Sequence, residues 1–254
     1  MSRVHSKPGK EFWLAALRHE GAAFRAAVSV EGLTQPVPTC PGWTVEDLVA
    51  HLGSVYGWVR GHVTREVTTR PELMSLDGAP HGEPVLAWWD ARYAELLSTL
   101  DHLDAEHPAW NWAPQAKKAG FWHRRMAHET AVHRWDAQVA SGLTEPIETK
   151  LAADGVSEVL DSCLPGGRRK VRESPVSGLA QLVASDVAYA WLVRIRGAGV
   201  ALLDTSTVMH EPHKIDAQAV GTSSDILLAL WSRVPFDVLE TGGDPRLLDA
   251  LRTR

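Results

Sequence analysis

The chain has 254 residues, 44% of them hydrophobic and 22% charged, which suits a soluble protein with one large domain or two ordinary ones. Its formal net charge of −5 leaves no basic surplus to neutralise phosphates, which argues against nucleic acid or an anionic membrane surface as partner. Two cysteines far apart, Cys40 and Cys163, form neither a CxxC pair nor a disulfide framework. There is also no run of about 18 apolar residues to span a membrane, so a cytoplasmic location is expected.

The N-terminal segment, with Lys7 and Pro8, lacks the apolar core of a signal peptide. From about Glu11 to Val28, Trp13, Leu17, Phe24 and Val28 fall on one stripe, a helical period. The stretch from Gln35 to Gly42 is too rich in proline for a regular element. Thr44 then opens a second helix, capping its free amides with Asp47 three residues on, and Val45, Leu48, Leu52, Val55 and Val59 form its buried face. Thr64 to Glu83 reads as a long crossover loop, and Pro84 starts a third helix, where its missing N–H costs nothing. A loop from Glu106 to Ala119 precedes a fourth helix, Gly120 to Ala140, which Ser141 and Gly142 terminate. Four amphipathic helices with one long central connection predict a four-helix bundle. The short basic clusters Arg124–Arg125 and Arg168–Arg169–Lys170 read as solvated faces. Trp110 and Trp112, two of 11 tryptophans, read as loop anchors or as pocket walls.

The Thr144-Glu145-Pro146 stretch marks the expected boundary between domains 1–143 and 144–254. Beyond it a helix is expected from Leu151 to Leu160. Strands are expected over Leu179–Ala184, Ala190–Arg196, Val200–Leu203 and Ile215–Val220, a helix over Thr222–Val234 and a short one from Pro245. The expected class is therefore α+β, a helical bundle followed by a small α+β domain.

The fourth helix carries the chemistry. Stepping from Trp122 by threes and fours gives Met126, Glu129, His133 and Asp136, three ionisable groups on the stripe that faces the core. Glu129 and His133 lie one turn apart and converge. A buried carboxylate needs a partner, and a cation supplies one. The alternative is an ordinary arrangement, with Glu129 paired to Arg125 one turn earlier and His133 a satisfied core histidine. Spacing leaves both open. His128 and His133 are five apart, so no HExxH motif is present, and His128 reads as a flank residue. On the second helix His51 sits at the edge of the apolar stripe and is the best third ligand. Two histidines and one glutamate make a common catalytic zinc set with open coordination positions. His62 and His81 are weaker candidates.

Two segments, Pro38-Thr39-Cys40-Pro41-Gly42-Trp43-Thr44 through His51-Leu52 and Ala127-His128-Glu129 through Asp136-Ala137, resemble the mycothiol-dependent maleylpyruvate isomerase family. The tail from Ser224 to Arg233, followed by Gly243-Asp244-Pro245, resembles that family's sterol-carrier-like C-terminal domain. The resemblance implies a DinB-like four-helix bundle and a divalent metal, usually Zn²⁺, on His51, Glu129 and His133. It also implies mycothiol or a similar low-molecular-weight thiol as cofactor or cosubstrate. An arginine of the C-terminal domain then reaches the active site, and Arg233 is the matching residue; as a bare sequence feature Arg233 reads equally well as a helix-end cation.

Together these features predict an enzyme whose metal-held thiolate attacks a small electrophilic substrate, either a cis-trans isomerase or a thiol S-transferase. Arg233, with Arg124 or Arg125, would hold substrate carboxylates. Two other classes stay open: a non-catalytic module binding a metal or small ligand, and a metal-dependent hydrolase.

Overall fold

The computed structural model describes residues 8–73, 78–167, 176–197, 199–203 and 214–253; the Arg168–Arg169–Lys170 cluster lies outside them. The chain divides into two compact units, Met1–Glu145 and Pro146–Arg254.

The first unit is built from α1 (Lys10–Ala27), α2 (Val45–Val63), α3 (Pro84–His102) and α4 (Gly120–Ala140). Helix α4 packs on α1 and α2, and α3 closes the ring against α2 and α1. The apolar periods decide the inward faces: Leu14, Leu17 and Phe24 of α1, Leu48, Leu52 and Val59 of α2, and Val85, Leu96 and Leu100 of α3 are fully buried. An aromatic stack of Phe24 on Trp89 and Trp89 on Tyr93, each with centroids 5.0 Å apart, joins α1 to α3.

Helix α4 is different, being buried around most of its circumference although it carries Arg125, His128, His133, Arg134 and Asp136. Such a helix holds only if its polar groups find partners inside. Arg134 does so by donating to Glu20 of α1 at 2.7 Å, to Gln138 at 2.7 Å and to the Glu145 carbonyl at 2.6 Å. The helix ends on Gly142, whose φ of +78° is the left-handed cap, with the Leu143 amide returning to Gln138 O at 2.9 Å.

The second unit has α5 (Thr149–Glu158), which continues as a π-helical turn through Cys163, beyond the end expected at Leu160. A five-stranded sheet follows, in the order β3-β2-β1-β4-β5. Its members are β1 (Ser177–Ala184), β2 (Tyr189–Arg196), β3 (Gly199–Leu203), β4 (Ala217–Gly221) and β5 (Glu240–Gly243). All neighbours are antiparallel except β1 and β4, which run parallel. Helix α6 (Ser223–Leu230) follows β4, and α7 (Pro245–Asp249) follows β5.

Two departures from the sequence reading have local causes. Helix α6 stops at Leu230 and not near Val234, because Ser232 takes a left-handed φ of +60° and the Arg233 amide closes back on Leu228 O at 2.8 Å. Strand β5 is unexpected: it is four exposed residues, two of them glycine, and only its pairing with β4 makes it a strand. The class is otherwise as expected, α+β with a helical N-terminal region and a strand-containing C-terminal region. Among the described residues no helix is long and apolar enough to cross a membrane.

Candidate metal centre

Helix α2 begins with a reciprocal cap. The Asp47 amide donates to the Thr44 hydroxyl at 3.2 Å, and the Thr44 amide donates to the Asp47 carboxylate at 2.8 Å. Fixing this end fixes the phase of the helix, and two turns on His51 faces α4. There its Nε2 lies 3.4 Å from Glu129 Oε1. His133, one turn beyond Glu129, brings its own Nε2 to 3.5 Å from the same oxygen. One ligand atom from each residue lies within 4.8 Å of the other two.

Both separations are long for a charge-assisted hydrogen bond. A charge-assisted N–H···O⁻ hydrogen bond draws its atoms to roughly 2.7–2.9 Å. Donors held at about 2.0–2.2 Å around a tetrahedral zinc stand roughly 3.3–3.6 Å apart along each edge. The spacings 3.4 and 3.5 Å match two tetrahedron edges, and the third pair, His51 with His133, lies within 4.8 Å, so the donor set is compatible with a divalent ion of this size. Among the described residues this group offers three protein donors, which around a tetrahedral ion would leave a coordination position for an exogenous ligand.

The ordinary pairing is present as well, on the other carboxylate oxygen. Arg125, almost fully buried, donates through Nη2 to Glu129 Oε2 at 2.6 Å. Burial alone would raise the Glu129 carboxyl. The Arg125 guanidinium, with the facing His133 and His51 rings, outweighs it and holds the group well below the usual carboxylate range. Glu129 therefore stays an anion, with Oε2 occupied and Oε1 turned toward the two imidazoles.

His133 is held from its far side. Its Nδ1 lies 2.8 Å from Asp136 Oδ2, and Asp136 is fully buried. Burial would lower the imidazole, but the Asp136 and Glu129 carboxylates raise it above its ordinary value. A metal arriving at Nε2 must displace any proton there, so binding releases protons. The loop between α1 and α2 completes this side. Its own ladder, Val37 N to Trp43 O at 2.9 Å and Trp43 N to Cys40 O at 3.0 Å, presents Thr39 and Cys40 to Asp136. The Thr39 hydroxyl donates to Oδ1 at 2.6 Å and the Cys40 thiol to Oδ2 at 3.5 Å. Cys40, His133 and Asp136 also cluster tightly enough for a cation. The 2.8 Å contact between His133 and Asp136 is too short for a tetrahedron edge, however, and is a hydrogen bond. Trp43, half-buried, covers the imidazoles, with ring centroids 4.9 Å from His51 and 6.4 Å from His133.

Behind Glu129, Tyr56 of α2 meets Thr130 of α4 at 2.6 Å. The Thr130 hydroxyl hydrogen goes to Met126 O at 2.7 Å, so Tyr56 is the donor, and burial raises its phenol well above the ordinary value.

The remaining sequence candidates fall elsewhere. His62 is buried in a cage of Trp58, Trp110 and Trp122, with Nδ1 on Trp58 O at 2.9 Å. Trp110 is thus an anchor within this cage. His81 is exposed and paired with Glu46 at 2.9 Å. His128 is not a flank residue as expected; it is fully buried, because α4 lacks a solvent face along this turn. Arg233 belongs to the second unit, where it follows α6 and donates to Trp231 O at 3.1 Å. Sequence reasoning assigned no role to Asp136, Thr39 or Trp43. Asp136 was visible on the α4 stripe, three residues past His133, whereas nothing in the order of residues indicated that the loop would reach it.

Comparison with known proteins points the same way for both units. Residues 14–138 match the mycothiol maleylpyruvate isomerase N-terminal domain, and residues 150–250 match the C-terminal domain of that family. Two solved structures share the fold over 95% of this chain and 96% of theirs: a mycothiol-dependent maleylpyruvate isomerase, with TM-score 0.60, and a histidine-to-alanine mutant of it, with TM-score 0.59. Both are 13% identical to this chain. No curated protein sequence matches it.

Proposed function

Because the chain belongs to the mycothiol-dependent maleylpyruvate isomerase family, we propose that it is a metal- and thiol-dependent enzyme working at His51, Glu129 and His133. One observation carries the reading: ring nitrogens of His51 and His133, from two helices, stand 3.4 and 3.5 Å from Glu129 Oε1, the edge length of a zinc coordination shell, and all three atoms lie within 4.8 Å of one another. His51, Glu129 and His133 would hold a divalent metal, zinc in our reading, which would supply Lewis acidity that lowers the pKa of a coordinating thiol so that its proton is released to solvent at neutral pH.

The protein's own groups set up the rest. Glu129 contributes a carboxylate kept charged and oriented by Arg125. His51 and His133 contribute ring nitrogens, and Trp43 screens their exposed edges from water. Arg233 is the proposed partner for a substrate carboxylate, through bidentate hydrogen bonds. The reaction class is addition of the thiol, mycothiol or a close analogue, to an electron-poor double bond. Rotation about the resulting single bond and elimination of the thiol yield the trans alkene. If the adduct is released instead, the same groups perform thiol S-transfer.

The test is metal analysis followed by turnover. Purified protein should carry about one divalent ion per chain. With a low-molecular-weight thiol and a cis-configured unsaturated dicarboxylate, it should give a product of unchanged mass and altered geometry, or a thiol adduct. Protein that takes up no divalent ion under saturating zinc would end this reading. Turnover without added thiol would move it to a hydrolase.

A further inference from the structure

The fully buried carboxylate of Asp136 lies outside the proposed ligand set, yet it touches the ring of one ligand from behind. We propose that Asp136 is a positioning residue: it holds His133 as the tautomer protonated at Nδ1, so that the Nε2 lone pair points toward His51 and Glu129, and the α1–α2 loop holds Asp136 in turn. This rests on the metal reading above.

The geometry leaves little freedom. A neutral imidazole has one donor nitrogen and one acceptor nitrogen, and the partner of one decides the state of the other. Asp136 Oδ2, at 2.8 Å from Nδ1, only accepts, so the ring must donate there and present its lone pair at Nε2. Free imidazole chains offer no such bias; the protein imposes it. Carboxylate support of a ligand histidine also raises ligand basicity, and loss of such outer partners typically weakens metal binding 10–100-fold.

Asp136 would be a poor support if it could swing away. Its Oδ1 is tied to the Thr39 hydroxyl at 2.6 Å and its Oδ2 also receives the Cys40 thiol at 3.5 Å. Both residues arrive on a loop closed by its own backbone bonds and anchored to the first turn of α2, where Val45 N donates to Gln35 O at 2.9 Å. The same loop places Trp43 over the two imidazoles. Thus one segment aligns His133 from behind and covers it from the side.

The experiment uses the full chain and three variants. Asp136→Ala removes the acceptor. Asp136→Asn keeps an amide oxygen for Nδ1 and can turn its NH₂ to Thr39. Thr39→Val removes only the clasp and is close to isosteric. Two quantities are measured: zinc affinity by competition with a chromophoric chelator, and the His133 tautomer from ring ¹⁵N shifts of metal-free protein at alkaline pH. The native ring should be protonated at Nδ1. Asp136→Ala should shift it toward Nε2 protonation and weaken zinc 10–100-fold. Asp136→Asn should retain the native tautomer and most of the affinity, and Thr39→Val should fall between them. A native ring protonated at Nε2 would overturn the proposal. So would unchanged affinity and tautomer in folded Asp136→Ala; should that variant not fold, Thr39→Val with both quantities unchanged overturns it equally. If native protein shows the Nδ1 tautomer but binds no zinc, the metal reading falls while the hold of Asp136 on His133 stands, so the two failures are distinct.

Discussion

Arg125 and Glu129 form an almost buried ion pair one helical turn apart, with Nη2 2.6 Å from Oε2, and the opposite carboxylate oxygen faces two histidines. In the proposed metal reading, this arrangement divides one carboxylate between a permanent counter-ion and a site for a second cation. Removing Arg125 leaves Glu129 uncompensated in the metal-free protein. Arg125→Leu should therefore destabilise that form by about 3–5 kcal/mol, the usual loss when one partner of a buried pair is deleted. Saturating zinc should then raise the melting temperature of the variant more than that of the native chain. Equal zinc shifts in thermal melts of both proteins would refute the division.

The second buried pair, Arg134 with Glu20, joins α4 to α1 at 2.7 Å and has no part in the proposed chemistry. Both side chains are 3% exposed or less. Glu20→Ala should cost about 3–5 kcal/mol in urea unfolding, by stranding the guanidinium inside the bundle. Zinc affinity of the folded fraction should be unchanged.

Tyr56 donates to Thr130 immediately beside Glu129. Tyr56→Phe keeps the ring packing and leaves Thr130 bonded to Met126 O. It should cost only about 0.5–1.5 kcal/mol, the net worth of one hydrogen bond. A larger loss in denaturant melts, or a zinc affinity weakened tenfold, would make the phenol part of the metal centre.

His62, in its tryptophan cage, gives the bundle an acid-sensitive point. Burial lowers its pKa, outweighing the bond to Trp58 O, and Arg65 adds to the lowering. The unfolded chain therefore binds this proton more readily than the folded one. The contribution of His62 to stability is complete above the unfolded value of about 6.5 and is lost as pH falls through the lower folded value. Chelator-treated protein should melt at lower temperature as pH drops below about 6.5, and His62→Gln should flatten that slope. Parallel pH profiles for the two proteins would assign the acid sensitivity elsewhere.

The order of residues determined the helices, the class of fold and the stripe of α4. The reason is that capping, proline placement and a 3.6-residue apolar period are local properties. Thr44 with Asp47, Pro84 at the start of α3 and Gly142 after α4 each act through neighbours a few positions away. The convergence of Glu129 and His133 was equally local, one turn of one helix. Tertiary structure alone decided what those side chains face. It turned Glu129 Oε1 toward His51, 78 positions away, gave Oε2 to Arg125, and buried His128, which spacing had put on a flank. It also brought Thr39 to Asp136 across 97 positions and made Glu240–Gly243 a strand by offering it an edge. Those outcomes depend on how separate segments pack, and packing energy is set by distances in space that no local period encodes.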